Sequence, residues 1–224
     1  MISVIIPVYN AVPTIENCLA SLLGQTKTEL EIIAVNDGST DNSGAILAKY
    51  QDKITILNQE NYGAPTARNR GFEASRGEYV IFCDADIIIK PNMLVLMEQK
   101  LTENPTAAYV YSSFKFGFKT FKLWPFDPAK LKKMPYIHTS SLIRREFFPG
   151  FDENLKKFQD WDLWLTILER GGQGIWLDQS LFSIKSGGTM SAWLPKIFYQ
   201  LPWLKKVKAY RQAERIIKIK HNLL

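Results

Sequence analysis

Tyr79-Val80-Ile81-Phe82-Cys83-Asp84-Ala85-Asp86 is the stretch that decides the fold. Five apolar residues in a row, too few for a helix, read as a fully buried β-strand. Such a run implies a sheet covered on both faces. Two carboxylates follow at once. An ionised carboxylate is costly to desolvate, so at a buried strand end it needs a cation, a donor or water. Hard divalent cations such as Mg²⁺ and Mn²⁺ take oxygen ligands and complete their shells with substrate phosphates. Two solvated loop acids are the alternative reading of the pair alone.

The segments around it repeat one alternation. Ser3–Val8, Leu30–Val35, Ile54–Leu57 and Glu78–Cys83 read as strands. Thr14–Gln25, Asp41–Tyr50, Thr66–Ser75 and Met93–Leu101 read as helices, with Asp41 as an N-cap. Strand–helix alternation implies βαβ units and a mainly parallel, Rossmann-like sheet of the α/β class. Ligands of such sheets bind beyond the carboxyl ends of the strands. The polar clusters lie there: Tyr9-Asn10, Asn36-Asp37-Gly38-Ser39 and Asp84-Ala85-Asp86.

The second half is less regular. Strands are expected at Ala107–Ser113, Ile137–Ile143 and Ile175–Ile184, and a Trp- and Leu-rich helix at Asp160–Glu169. Phe114, Phe116 and Phe118 alternate with Lys115, Gly117 and Lys119 as in an edge strand or an ordered loop. Pro125–Lys133 reads as an excursion. His138 is a lone histidine, more often structural than a ligand, and no role is assigned to it.

The chain has 224 residues, 28 basic and 22 acidic, with net charge +6. From residue 196 onward there are eight basic residues and one acid, so the first 195 are near neutral. The high pI of about 9.2 is therefore a property of the tail and does not point to a nucleic-acid partner. In the tail, Trp203, Val207, Tyr210 and Ile217 share one helical stripe, and Lys208, Arg211, Arg215 and Lys218 another. A basic amphipathic helix with a tryptophan suits an anionic membrane surface. The same pattern also fits a helix packed on the body with a solvated basic face. Cys18 and Cys83 sit in apolar segments and read as buried free thiols of a reducing compartment. With a strand starting at Ile2 and no apolar run near the roughly 20 residues of a membrane span, neither a signal peptide nor a spanning helix is expected.

Five motifs together resemble the family-two inverting glycosyltransferases with the GT-A fold. They are Ser3–Asn10 (SVIIPVYN), Val35–Asp41 (VNDGSTD), Gly63–Gly71 (GAPTARNRG), Asp84-Ala85-Asp86, and Asp160–Trp164 (DWDLW). The resemblance covers residues 2–191. It implies a glycosyltransferase domain over 1–195, with a nucleotide-sugar half at 1–105 and an acceptor half at 106–195, and a basic tail at 196–224. It implies transfer of one sugar from a nucleoside-diphosphate donor, UDP-linked, to an acceptor hydroxyl. Pro7 and Tyr9 would form the pocket wall, Asp37 would accept the base imide N–H, and Arg68 would face the nucleotide. Asp86 would ligate Mn²⁺ or Mg²⁺ on the diphosphate, with Asp84 at the ribose or the metal shell. Asp160 would be the general base.

Each has a plainer alternative. Pro7 and Tyr9 can be scaffold, Asp37 a turn aspartate, Arg68 a surface arginine and Asp160 a helix N-cap. Trp161 and Trp164 serve either an acceptor floor or the core. The sequence departs from the pattern at Asn36 and Gln159, where acids are common. It also lacks a histidine before the late turn, where Lys185 stands and could offset diphosphate charge. The Q-x-x-R-W motif of processive synthases is missing, which points to single additions. The resemblance further implies a glycan or lipid-linked acceptor, cell-surface polysaccharide assembly, and a cytoplasmic location at the inner membrane face. Two other readings compete. One is a dinucleotide-binding oxidoreductase, which lacks its G-x-G-x-x-G turn here. The other is a non-catalytic member that binds nucleotide or membrane.

Overall fold

The structure, a computed structural model, describes residues 1–185 and 204–224. Its first third is the expected alternation. The strands are β1 (Ile2–Val8), β2 (Leu30–Asp37), β3 (Thr55–Gln59) and β4 (Tyr79–Phe82). The helices between them are α1 (Ile15–Leu23), α2 (Ser43–Ala48) and α3 (Ala64–Ala74). These four strands pair in parallel in the order β3-β2-β1-β4. Odd and even residues of β1 explain the layering. Ile2, Val4, Ile6 and Val8 enter the core beneath α1, while Ile5 enters the core on the opposite face. A strand buried on both faces must be apolar at every position, as the near-continuous run in β1 is.

The chain then reverses. β5 (Ile87–Ile89), α4 (Met93–Thr102), β6 (Tyr109–Phe116), β7 (Lys119–Phe121), α5 (Pro128–Lys133), β8 (Leu142–Arg144), α6 (Gln159–Glu169) and β9 (Gly174–Ile184) follow. The sheet continues β4-β8-β6-β9-β5, with β8 antiparallel to both neighbours and β5 antiparallel to β9. The sheet is thus mixed, curled and α/β, with its parallel part on the nucleotide-motif side.

Four expectations change. The helix expected over 41–50 shortens to Ser43–Ala48. Asp41 lies outside it, though its Oδ1 still accepts from the Ser43 amide at 2.9 Å. The excursion at 125–133 contains α5, started by Asp127, whose Oδ1 accepts from the Lys130 amide at 3.0 Å, with proline in its first turn. The strand expected at Ile137–Ile143 survives only as Leu142–Arg144. Side chains of His138 and Ser141 bond locally to backbone, Ser140 Oγ donates to the Phe82 carbonyl of β4, and these bonds compete with the ladder. β5, three isoleucines long, was not anticipated, because so short a run carries no periodicity.

The tail forms α7 (Lys205–Lys220). Its apolar stripe turns to the body rather than outward. Val207 and Ile217 are buried, and Tyr210 meets Phe158 edge-on at 5.0 Å. Trp203 lies outside the described residues. The helix end is fastened by ions. Lys220 Nζ stands 2.7 Å from Asp152 and 2.8 Å from Asp162. His221 places one ring nitrogen 2.8 Å from Asp162 Oδ1 and the other 2.8 Å from Glu169 Oε1. Among the described residues no helix is long and apolar enough to cross a membrane.

Both His221 nitrogens face carboxylates, so both must donate, which requires the imidazolium. Burial pushes His221 down, but its bonds to Asp162 and Glu169 outweigh this and hold it above the ordinary histidine value. A raised folded value means that the stabilisation is complete below the unfolded value of about 6.5. It is lost as pH rises through the folded value. His221→Ala should therefore cost about 1.5–3 kcal/mol near pH 6, the range for bonds to charged groups. The deficit should shrink towards pH 9. Denaturant midpoints at the two pH values check this, and an equal deficit at both would exclude titration of His221 as the cause.

Candidate active site

The site is built where β1, β2 and β4 end. Asp37 closes β2 and is only 2% exposed. Its Oδ1 accepts from Gln59 Nε2 at 2.8 Å and from the Tyr62 amide at 2.9 Å, and its Oδ2 from the Gly63 amide at 2.9 Å. It is not a turn aspartate bonding its own backbone. It fixes the loop that starts α3, and Oδ2 keeps one acceptor position. Gly38 follows in the left-handed region at φ 67°, and a Cβ there would stand 2.7 Å from the Asn61 backbone nitrogen. Only glycine lets the two loops approach so closely.

Asn10, for which the motifs alone imply no role, joins the β1 and β2 loops. Its Oδ1 accepts from the Thr40 amide at 2.9 Å and from the Asp41 amide at 3.3 Å. Tyr9 stands 44% exposed beside it, and Pro7 is half-buried within β1. Tyr9 is thus free to form a wall, while Pro7 is part of the sheet.

Asp84 and Asp86 occupy the turn between β4 and β5, closed by the Ile87 amide donating to the Asp84 carbonyl at 3.0 Å. Arg68, on α3, does not lie on the surface: it is 2% exposed. Its NH2 group donates to Asp84 Oδ1 at 2.6 Å and its NH1 group to Gln159 Oε1 at 2.9 Å. The guanidinium lies 5.2 Å from the Phe151 ring centroid, and its Nε has no partner among the described residues. Arg68 is thus a strut between the end of β4 and the start of α6. A Glu at 159 would compete with Asp84 for that charge. The neutral Gln159 accepts the bond without doing so.

Asp160 is the second residue of α6. The N-cap is Phe158, in the left-handed region at φ 59°, so Asp160 is not the cap. Its Oδ1 accepts from the Trp161 amide at 2.8 Å. Burial pushes its carboxyl up and outweighs the opposing influences around it. A carboxylate held above its ordinary value is a better proton acceptor. Trp161 and Trp164 are core residues, with their indole N–H groups donated to the Leu131 and Ile137 carbonyls. Neither forms an acceptor floor.

Burial also pushes Asp84 up, but the Arg68 guanidinium beside it outweighs this and holds the carboxyl below the usual range. Asp86 has no such partner among the described residues. Burial and the Asp84 charge push it up to about 6. A carboxylate that resists ionisation for want of a cation is a fitting ligand for one. No group of three or more acidic, His or Cys side chains that could hold a metal occurs among the described residues. One or two carboxylates, with substrate phosphates and water, is nonetheless the usual set for Mg²⁺. The residues fit a cation that arrives with a phosphorylated ligand. Lys185 lies alongside, its amide donating to the Asp86 carbonyl at 3.1 Å. Residues 186–191, which complete the late turn, lie outside the described residues.

His138 was passed over in the sequence because a lone histidine carries no pattern. The structure sets it among Asp84, Asp160 and Arg68, near enough to feel their charges. The 540 Å³ hollow lined by Phe72, Glu78, Arg144, Arg145 and Glu146 shares none of these residues. It adjoins Glu78, before the opposite end of β4.

A curled mixed sheet with acids gathered at its parallel strand ends defines an α/β class whose ligands bind beyond the carboxyl ends of those strands. The model of the family described as "Glycosyl transferase family 2" matches residues 3–161, and the chain belongs to that family. "Uncharacterized glycosyltransferase EpsJ" of Bacillus subtilis is 28% identical, over 98% of this chain and 69% of its own length. "Uncharacterized glycosyltransferase YibD" of Escherichia coli is 43% identical over 57% of this chain, and the match spans 38% of its length. Among solved structures, S. aureus TarS 1-349 in complex with UDP-GlcNAc superposes with TM-score 0.77 at 21% identity, covering 97% of this chain and 65% of that one. The mannosyltransferase PcManGT of Pyrobaculum calidifontis, in complex with GDP-Man and Mn²⁺, gives 0.69 at 20% identity, covering 98% and 62%. Both likenesses establish the GT-A type of fold.

Proposed function

We propose that this chain is an inverting glycosyltransferase that moves one sugar from a UDP-linked donor to an acceptor hydroxyl in cell-surface glycan assembly. The observation that carries the reading is Arg68. By bonding Asp84 and Gln159 at once, it holds the two-carboxylate turn and the helix bearing Asp160 on one frame. The remaining Oδ2 acceptor position of Asp37 suits a base imide N–H, a charge-assisted bond. Asp86, with Asp84 beside it, would hold Mn²⁺ or Mg²⁺ against the diphosphate. The bound cation supplies neutralisation of the leaving group's charge. Lys185 adds a positive charge on the same side. Asp160 takes the proton of the attacking acceptor hydroxyl, the one proton transfer that a single displacement requires. Exposed Lys206, Lys208 and Arg215 on α7 suit an anionic membrane carrying a lipid-linked acceptor, by charge rather than by insertion.

A thermal-shift screen of UDP-, dTDP- and GDP-sugars, each with and without Mn²⁺, tests the reading. A ligand that binds only the folded state raises its apparent stability by mass action. A UDP-sugar should raise the melting temperature, and Mn²⁺ should enlarge the shift. No shift with any nucleotide sugar would overturn it.

A further inference from the structure

The turn preceding β8 is held by unusual means. Ser140 Oγ donates to the Phe82 carbonyl at 3.1 Å, anchoring the turn two residues before Asp84. Ser141 Oγ donates to the His138 carbonyl at 2.7 Å. The Ser140 amide donates to His138 Nδ1 at 3.0 Å. The His138 ring is flanked by Phe114 and Phe182, with centroids 5.6 and 5.2 Å away. The imidazole is therefore fixed, and its tautomer with it. Nδ1 accepts, so the proton of the neutral ring is on Nε2.

Nε2 has no hydrogen-bond partner among the described residues. Burial pushes His138 down and Arg68 adds to this, while Asp84 and Asp160 oppose it, and the net direction is downward. The ring is thus a neutral donor beside two groups that, when ionised, can only accept. A hydroxyl between carboxylates can give its proton to one of them, but its lone pairs then need a donor. A charged donor there would lower Asp160 and weaken it as a base. A neutral N–H avoids that cost.

We propose that His138 contacts the transferred sugar, its Nε2–H donating to a sugar hydroxyl held between Asp84 and Asp160. The inference rests on the nucleotide-sugar reading above and assigns the part of the site that recognises the sugar rather than the nucleotide.

Amide substitutions separate the two ring nitrogens. A Gln amide nitrogen reaches about where Nε2 stands, and an Asn amide oxygen about where Nδ1 stands. UDP and UDP-GlcNAc are titrated calorimetrically in Mn²⁺ against wild type, His138→Ala, His138→Asn and His138→Gln, with melting temperatures as a fold control. UDP should bind all four alike. UDP-GlcNAc should bind His138→Ala and His138→Asn about tenfold more weakly, the size of one net hydrogen bond. His138→Gln should recover most of that loss. Recovery by Asn and not by Gln would show that His138 only holds the Ser140 turn and would overturn the inference. So would parallel losses for UDP and UDP-GlcNAc, or no loss at all. Wild type that binds neither ligand would overturn the nucleotide-sugar reading itself and this inference with it.

Discussion

Asp160→Asn should slow sugar transfer by about 10²–10⁴-fold, the usual contribution of a positioned general base. The substitution removes the proton acceptor and little else. An Asn Oδ1 still accepts from the Trp161 amide, as Asp160 does at 2.8 Å. Asp160 makes no ion pair among the described residues, so no charged partner is left stranded. Melting temperature and the binding of UDP itself should barely move. The outcome separates chemistry from architecture because Asp160 already occupies the first turn of α6, where an acid is favourable to the helix whatever else it does. Near-normal turnover, or turnover and stability falling together, would assign it to that structural role.

Asp86→Ala should abolish the metal dependence of UDP binding without harming the fold. At about 6, the Asp86 carboxyl titrates well above its unfolded value of about 3.9. A raised carboxyl value opposes folding at neutral pH, because the folded state resists the ionisation that the unfolded state accepts. The variant should therefore melt at the same temperature as wild type or slightly higher. Calorimetry with UDP in Mn²⁺ and in chelator reads the binding. Wild type should bind much more tightly with metal and Asp86→Ala equally in both. Equal affinity in wild type with and without Mn²⁺ would sink the diphosphate–cation arrangement.

The first half of the chain was legible because two periodicities coincide there. Apolar runs bounded by Gly and Asn-Asp signals give strands, and the polar clusters lie at their ends. The acids of the D-x-D turn could be placed from Tyr79–Cys83 alone. What Arg68 does could not. A helix arginine looks alike whether it faces water or a carboxylate on another strand, and its partners Asp84 and Gln159 lie 16 and 91 residues away. Asp37 was hard to read for another reason. Its three donors come from the end of β3 and the loop after it, which the spacing of the motif does not reveal.

The second half of the chain was harder to read because side chains there replace the ladder. The Ile137–Ile143 run has strand composition, but the bonds of His138, Ser140 and Ser141 bend it into a turn. The tail's periodicity marks an apolar stripe but does not say what that stripe meets. Ile217 packs into the same core as Trp161 and Trp164, and His221 and Lys220 complete the docking through Asp162. Asp162 and Asp160 thus divide the labour of one short motif. The first anchors α7, and the second faces the site.

Single displacement at the anomeric carbon is the central claim, and the configuration of the product tests it most directly. The best UDP-sugar from the screen is incubated with a simple hydroxyl acceptor and Mn²⁺, and the proton coupling at the new linkage is read by NMR. Asp160 acting as the sole base predicts an anomeric configuration opposite to that of the donor. A product that keeps the donor's configuration would contradict the account.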